Sequence, residues 1–326
     1  ATGVSAGAAW VPAHGFAQKH LKSDDTIEKA RTYMYGEDRD KELDHDLVEK
    51  FLEEGPKVAR YIEEHTHFGW IPTLWPDYRS DIPGASTDRA LFPGPFSPKK
   101  LGDAARYVRP ALTTGMAKNP LPFWMLNGLD PENVWMAGPA LVGALLEASL
   151  RYGADVRINA PVHELIVEGD TVTGVRVNVD GDLTDVKAKN VILATGGFET
   201  SDELTGEHLG APFGEKVSPK GHNGIAVQLA EQVGADLTGM GDAWYMPGVQ
   251  LPGETLEGEN FARILLGERS LPHSIVVNMK GRRFANEALP YDQFGRIMHE
   301  TDEATGEQPN SPAWFVFDQT YWEKFG

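Results

Sequence analysis

At 326 residues, 41% hydrophobic and 24% charged, the chain has a soluble globular composition and the length for two domains, or one large domain with an excursion. A formal charge of −18 argues against nucleic acid or anionic membrane as partner, and the lack of cysteine excludes disulfides, thiolate nucleophiles and cysteine metal sites. No apolar run reaches the roughly 18 residues of a transmembrane helix, and ATGVSAGAAWVP has no basic region ahead of an apolar one, so it does not read as a signal peptide; a cytoplasmic location is expected.

The chain opens on small residues, Thr2, Gly3, Ser5, Ala6, Gly7, Ala8 and Ala9, which suit either a flexible end or a backbone surface pressed against a ligand. Ser23-Asp24-Asp25 then reads as the cap of a helix from Thr26 to Tyr35, stopped by Gly36. A second amphipathic stretch runs from about Asp40 to Thr66, with Leu43, Leu47, Phe51, Val58 and Ile62 at helical spacing and an interruption expected at Gly55-Pro56. His45, His65 and His67 read as solvated rather than as metal ligands. From Phe68 to Pro131 proline, glycine and aromatics dominate, in FGWIPTLWPDY, LFPGPFSP and NPLPFWMLNG. Little regular structure is expected there, and the many aromatics argue for an apolar loop layer over a pocket rather than for disorder.

Met136 to Tyr152 reads as a helix with Leu141, Leu145 and Leu146 on one side. Short strands follow at Ala154–Ile158, Val162–Glu168, Val172–Val179 and Leu183–Ala188, the last three a meander with turns at Gly169-Asp170 and Asp180-Gly181. Val191 to Thr195 reads as a buried parallel strand running into Gly196 and Gly197, and the whole segment, VILATGGFE, ends at Glu199. Glycine pairs by themselves are commonest in tight turns. At the carboxyl end of a strand they also let backbone approach a flat or anionic ligand. Gly221 to Gly224 lead into a helix through Val233 ending at Gly234, and a helix-poor stretch follows to Arg269. Ser274–Asn278 is a strand with a turn at Lys280-Gly281 and a polar segment to Tyr291, and Trp314–Phe317 reads as another buried strand.

Taken together these segments resemble the fumarate-reductase-like FAD flavoproteins, and within them the 3-ketosteroid Δ1-dehydrogenases and related FAD-binding dehydrogenases. TGVSAGAAW is similar to a TTxxSGGxxW motif that lines the flavin, with Ala6 where glycine is usual. WPDY, Trp75 to Tyr78, resembles an active-site loop of the steroid enzymes. Gly138 to Leu146, Val162 and VILATGGFE resemble the second half of the FAD-binding domain. GDAWYMPG resembles an AWW-P segment, and VVNMKGRRFANEALPY a VN-x-x-G-x-RF-x-NE-x-x-PY signature.

The resemblance implies an α/β fold: a Rossmann-like FAD-binding domain over 1–249, lacking its first βαβ and carrying a β-meander insert, then the start of a substrate-binding domain over 250–326. It also implies that the chain is an internal piece of a longer enzyme, since the usual first strand with its GxGxxG turn and a C-terminal ketone-binding tyrosine and glycine find no counterpart; the piece alone is expected to be inactive. The implied cofactor is FAD, approached by Thr2, Ser5, Ala6 and Gly7, and on its adenosine side by Val162, Ala194, Thr195, Gly196 and Gly197. The implied reaction is dehydrogenation of a 3-ketosteroid or similar cyclic ketone between C1 and C2. A base takes a proton beside the ketone and flavin takes the hydride, so the implied partners are that small molecule and an unspecified electron acceptor. Tyr291 is implied as the base and Tyr78 as its supporting hydroxyl, because a tyrosine acts as a base only when its phenolate is stabilised. Phe261, Trp75 and Trp244 would wall a flat substrate, and Arg282, Arg283, Asn286 and Glu287 would fix the loop holding Tyr291. A fumarate-like or enone reducer is the alternative enzyme, disfavoured because the candidate pocket is aromatic rather than lined by clustered arginine and histidine. A non-catalytic fragment that binds no flavin is the alternative of another class.

Overall fold

A computed structural model describes residues 2–16, 23–36, 43–109, 132–211, 213–214, 218–253, 255–256, 258–260 and 262–325. Contacts divide the chain into two units, one holding the described residues of 2–113 and 119–155, the other those of 156–326.

In the first unit a 3-10 turn, Thr2–Val4, leads into strand β1 (Ala9–Trp10). Helix α1 spans Ile27–Gly36 and α2 spans His45–His65. Thr26, not the preceding aspartates, caps α1, its hydroxyl accepting from Lys29 N at 3.1 Å. Asp44 caps α2 by accepting from Leu47 N at 3.0 Å. Helix α2 runs unbroken through Pro56, where an interruption was expected. Proline deletes only one backbone donor, and ion pairs of Lys50 to Glu54 (3.1 Å) and Lys57 to Glu53 (2.8 Å) flank it on both sides. The buried face of α2 also differs from the expected one: Val48, Leu52, Pro56 and Ala59 face inward, while Leu47 is 67% exposed and Val58 and Phe51 are exposed as well.

The Pro-rich segment after Phe68 contains regular structure that its composition hid. Strands β2 (Trp70–Thr73) and β3 (Ala90–Pro93) join β1 in an antiparallel sheet of order β1-β3-β2. Pro72 lies on an edge strand and Pro93 ends the central one, positions where a missing N–H costs little. A kinked 3-10 segment covers Pro98–Tyr107. Helix α3 (Ala137–Arg151) packs on this sheet through small residues, burying Gly138, Ala140, Gly143, Ala144 and Ala148, whereas Leu145 is exposed. Gly143 is small for a reason: an added Cβ would stand 3.0 Å from the Phe96 ring, which is fully buried in the same core. Truncating such an aromatic costs about 3–5 kcal/mol.

In the second unit β4 (Val162–Glu168), β5 (Thr171–Val179) and β6 (Asp182–Lys187) form the expected meander. Asp180 and Gly181 both take positive φ (53° and 99°), the backbone that a two-residue hairpin demands. Helices α4 (Asp202–Leu209) and α5 (Ile225–Gln232) follow. Then come two short antiparallel pairs: β7 (Gly248–Val249) with β10 (Arg263–Ile264), and β8 (Thr255–Leu256) with β9 (Glu259–Asn260). β11 (Ser274–Asn278) pairs with β12 (Ala313–Phe317), and between them lies α6 (Tyr291–His299); α7 (Gln319–Phe325) follows. β12 is half-exposed rather than buried, with Trp314 and Val316 on its open face.

Two expected strands are absent. Residues 154–158 and 191–195 are extended or irregular without a ladder, and every ladder among the described residues is antiparallel. Ile192 is 88% exposed and Leu193 is exposed too. An apolar run specifies a strand only when a neighbouring strand takes up its N–H and C=O groups, and no described segment does so here.

Candidate functional site

The small-residue opening of the first unit is a folded surface, not a loose end. Ser5 Oγ donates to Thr2 O at 2.9 Å and accepts from Gly7 N at 2.9 Å, so the hydroxyl shapes the turn from within. Gly138 N, at the start of α3, donates to Ser5 O at 3.0 Å. Gly7 has φ +64°, and a Cβ there would stand 2.9 Å from Gly138 Cα; a Cβ on Gly138 would overlap the carbonyl oxygens of Thr2 and Ser5. The two backbones touch because neither carries a side chain. Thr2 and Ser5 are exposed, Ala6 is half-buried and Gly7 is buried.

The WPDY loop of the same unit is held by a buried ion cluster. Arg89, fully buried, donates to Asp77 at 2.6 Å, to Asp25 at 2.7 and 3.0 Å, and to Gly84 O at 2.8 Å. Its guanidinium also lies over the Trp10 and Tyr33 rings at 5.5 and 5.4 Å. Asp77 in turn accepts from the Trp10 indole at 2.7 Å and from Ser86 N at 2.9 Å. Burial pushes the Asp77 carboxyl above the ordinary carboxylate range, against the opposing pull of Trp10, Ser86 and Arg89. Trp75 N and Asp77 N bond the carbonyls of Thr87 and Ser86, which completes the frame. Tyr78 is the half-buried residue that follows Asp77, and the Trp75 ring is partly exposed, 6.5 Å from Phe92. Arg89 and Asp25 were not singled out from the sequence for this role. The available signal was an arginine and aspartates standing among apolar and small residues, where a charge survives only if paired.

In the second unit, the backbone of Ala194, Gly196 and Gly197 is exposed. Gly196 adopts φ +85°, and a Cβ on it would come 2.9 Å from the His222 ring. His222 bonds the Glu199 carboxylate through Nδ1. Burial works to raise Glu199, but hydrogen bonds from His222 and Ser218 hold its carboxyl below the ordinary range. Gly224 N donates to Gly197 O at 3.1 Å, and Thr200 N and Oγ1 both donate to His222 O. The glycine pair is thereby zipped to the GHNG turn that opens α5. Thr195 Oγ1 is buried with no hydrogen-bond partner among the described residues. Val162 stands at a bulge in the β4–β5 ladder, where it pairs with Val177.

Tyr291 is the first residue of α6, after Pro290 at the cap. Asp292 accepts from Tyr245 N at 2.9 Å and from Arg296 at 2.9 Å; Arg296 also donates to Ala243 O at 2.8 Å and pairs with Asp242 at 2.6 Å. A Cβ on Gly295 would stand 2.7 Å from Tyr245 Cβ. The structure therefore brings the AWY segment, with Trp244 65% exposed, against the helix that begins at Tyr291. Buried Glu287 accepts from Val276 N at 3.0 Å and pairs with Arg283, and Ala288 N bonds the Asn286 side chain at 3.0 Å, fixing the loop before the helix. Arg282 takes part through its backbone, donating to Asn278 Oδ1 at 3.1 Å. Tyr78 belongs to one unit and Tyr291 and Trp244 to the other. Phe261 and residues 110–131 lie outside the described residues.

Several features fit a dinucleotide cofactor. Exposed backbone at Ala194, Gly196 and Gly197 can approach phosphate or a flat ring, and the orphan Thr195 hydroxyl is a polar group in need of a partner. No group of three or more His, Asp or Glu residues suited to a metal occurs among the described residues. No described helix is long and apolar enough to cross a membrane.

Comparison with known proteins agrees with this chemistry. The chain is 30% identical to a 3-oxosteroid 1-dehydrogenase of Mycobacterium tuberculosis over 99% of its own length and 62% of the relative's. It is equally similar, 30% over 99% of the chain and 58% of the relative, to a 4-oxocyclohexanecarboxylate 2-dehydrogenase of Sinomonas cyclohexanicum. The crystal structure of 3-ketosteroid delta1-dehydrogenase from Sterolibacterium denitrificans in complex with 1,4-androstadiene-3,17-dione superposes with a TM-score of 0.84 at 29% identity, covering 98% of this chain and 62% of that one. The chain thus spans about three fifths of the length of these relatives. Residues 1–323 match the FAD binding domain family from end to end, and the chain is a member of that FAD-binding family.

Proposed function

We propose that this chain is the FAD-binding portion, and the start of the substrate-binding portion (250–326), of a dehydrogenase that desaturates a 3-ketosteroid or similar cyclic ketone. The observation that carries the reading is what the two equally similar relatives have in common. One is named for a 3-oxo compound dehydrogenated at C1, the other for a 4-oxo compound dehydrogenated at C2. In both, the named carbon lies two positions from the carbonyl carbon of a ring, so the shared chemistry is loss of hydrogen α and β to a ketone.

The α C–H is the acidic one, since its charge delocalises onto the ketone oxygen. Tyr291 is the assigned base, at the first position of α6. Tyr78 is assigned as the supporting hydroxyl, on a loop fixed by Asp77 and Arg89. Trp75, Trp244 and Phe261 are the assigned apolar walls. Thr2, Ser5, Ala6 and Gly7, and Val162 and Ala194–Gly197, are assigned to FAD. When bound, FAD supplies the two-electron oxidation.

Anaerobic bleaching of the flavin tests the reading in the protein at its natural length. 4-Androstene-3,17-dione or 4-oxocyclohexanecarboxylate should bleach it, whereas a fumarate-type enzyme would instead be reoxidised by fumarate. Tyr291→Phe should retain FAD and lose about 10²–10⁴-fold in bleaching rate. A wild-type rate in that variant rejects Tyr291 as the base.

A further inference from the structure

Tyr78 stands between two residues that are each bonded to an aromatic side chain of the core. On one side Asp77 accepts from the Trp10 indole at 2.7 Å, from Arg89 at 2.6 Å and from Ser86 N at 2.9 Å. On the other side Arg79 N donates to the Tyr33 hydroxyl at 3.2 Å. Tyr33 is a buried residue of α1, and Trp10 ends β1. Their rings are 6.0 Å apart, and the Arg89 guanidinium lies over both, at 5.4 and 5.5 Å.

The loop has other fastenings that do not touch Tyr78. Trp75 N bonds Thr87 O at 2.7 Å, and Asp77 N bonds Ser86 O at 2.9 Å. Gly84 takes φ +84°, and a Cβ there would stand 2.3 Å from Lys29 O and 2.7 Å from Tyr33 N, so loop backbone touches helix backbone. Such contacts hold a loop without reference to any one side chain. The Trp10 indole and the Tyr33 hydroxyl do something narrower, since each bonds a residue next to Tyr78, one before it and one after it. Anchoring both neighbours restricts φ and ψ at Tyr78, and those angles decide which rotamers its side chain can take. Trp10 also follows the 2–7 turn in the segment TGVSAGAAW, and Val11 N donates to Arg89 O at 2.9 Å. The strand that continues the small-residue turn and the loop that carries Tyr78 therefore rest on one buried base.

We propose that Trp10 and Tyr33 are positioning residues for Tyr78: through Asp77 and Arg79 they fix the backbone on both sides of it and so the place of its hydroxyl. The proposal rests on the assignment of Tyr78 as the supporting hydroxyl, and it deepens that assignment by naming what holds the hydroxyl in place.

The test uses the FAD-loaded protein at its natural length. Tyr33→Phe removes the hydroxyl and keeps the ring beneath Arg89; Trp10→Phe removes the indole N–H and keeps an aromatic ring. Each should slow anaerobic flavin bleaching at saturating 4-androstene-3,17-dione or 4-oxocyclohexanecarboxylate by about 10–100-fold. The KM for the ketone should change far less. In a Tyr78→Phe background the same substitutions should slow bleaching by less than about twofold further, because the group they position is gone. Amide exchange at Arg79 should quicken in Tyr33→Phe.

A merely structural role would slow both backgrounds by the same factor, and that result overturns the proposal. So does an unchanged rate with Tyr78 present, an effect confined to KM, or unaltered exchange at Arg79. If Trp10→Phe does not fold, Tyr33→Phe decides alone, and loss of fold or flavin in Tyr33→Phe also overturns the proposal. A wild-type flavin that no cyclic ketone bleaches rejects the dehydrogenase reading and this inference with it. Equal slowing in both backgrounds of a protein that does bleach rejects this inference alone.

Discussion

Arg89 and Asp77 are joined at 2.6 Å inside a region closed to solvent, one residue before Tyr78. Arg89→Met would leave Asp77 and Asp25 buried and facing each other without their cation. Removing one partner of a buried pair costs roughly 3–5 kcal/mol. The urea midpoint should fall accordingly, and amide exchange at Trp75 and Asp77, whose N–H groups bond Thr87 and Ser86, should speed up with it. Unchanged stability would mean the cluster is not what fixes the loop.

The link between α1 and α2 sets a pH dependence. Arg31 and the Tyr35 hydroxyl both bond Glu49 at 2.7 Å, and these bonds hold its carboxyl down to about 2 from 4.5. Between those values the unfolded chain binds a proton that the folded chain does not, so the contribution is full above about 4.5 and is lost as pH falls towards 2. The stability gap between wild type and Glu49→Gln should therefore close on acidification through this window. Urea midpoints at a series of pH values measure it, and a gap independent of pH contradicts the assignment.

Gly138→Ala places a methyl group against two carbonyl oxygens of the 2–5 turn. Backbone must move, because no flexible side chain is there to yield. A loss of about 1–3 kcal/mol is expected, together with faster proteolysis near residues 2–7. Gly206→Ala, at a helical position with no positive φ where an added Cβ meets nothing within 4 Å, is the control without a collision.

Gly196→Ala combines a φ of +85° with a collision against His222. About 1–3 kcal/mol of local strain follows, in a segment assigned to FAD. Flavin affinity should drop about tenfold or more, while far-UV circular dichroism stays native. Full flavin retention would remove Gly196 from the cofactor assignment.

Local rules read well from this sequence. The meander was legible because the turns at Gly169-Asp170 and Asp180-Gly181 carry their own conformational signal. Helices α1, α2, α3 and α5 were legible from periodicity and capping, though the inward face of α2 was not, since Val48, Leu52 and Ala59 are no more apolar than Leu47 and Val58. What escaped depends on distant partners. β2 and β3 were masked by Pro72 and Pro93, harmless only because of where each falls in the sheet. Val191 to Thr195 has a strand's composition but no described neighbour. Among site residues, the glycines were legible as motifs. Arg89 and His222 were not, because a single charged or titratable residue shows its role only once its surroundings are known.

The contact between Gly7 and Gly138 also has a kinetic side. It joins the start of the first unit to the helix near its end, with both earlier helices and the sheet in the intervening chain. Such a closure carries a large entropic cost and forms only after the segments between have largely collapsed. The 2–7 turn is therefore among the last parts of its unit to take shape, and protection of the Gly7 amide should rise with the slowest phase of refolding. A cofactor that depends on this surface would act on the folded unit rather than guide its assembly.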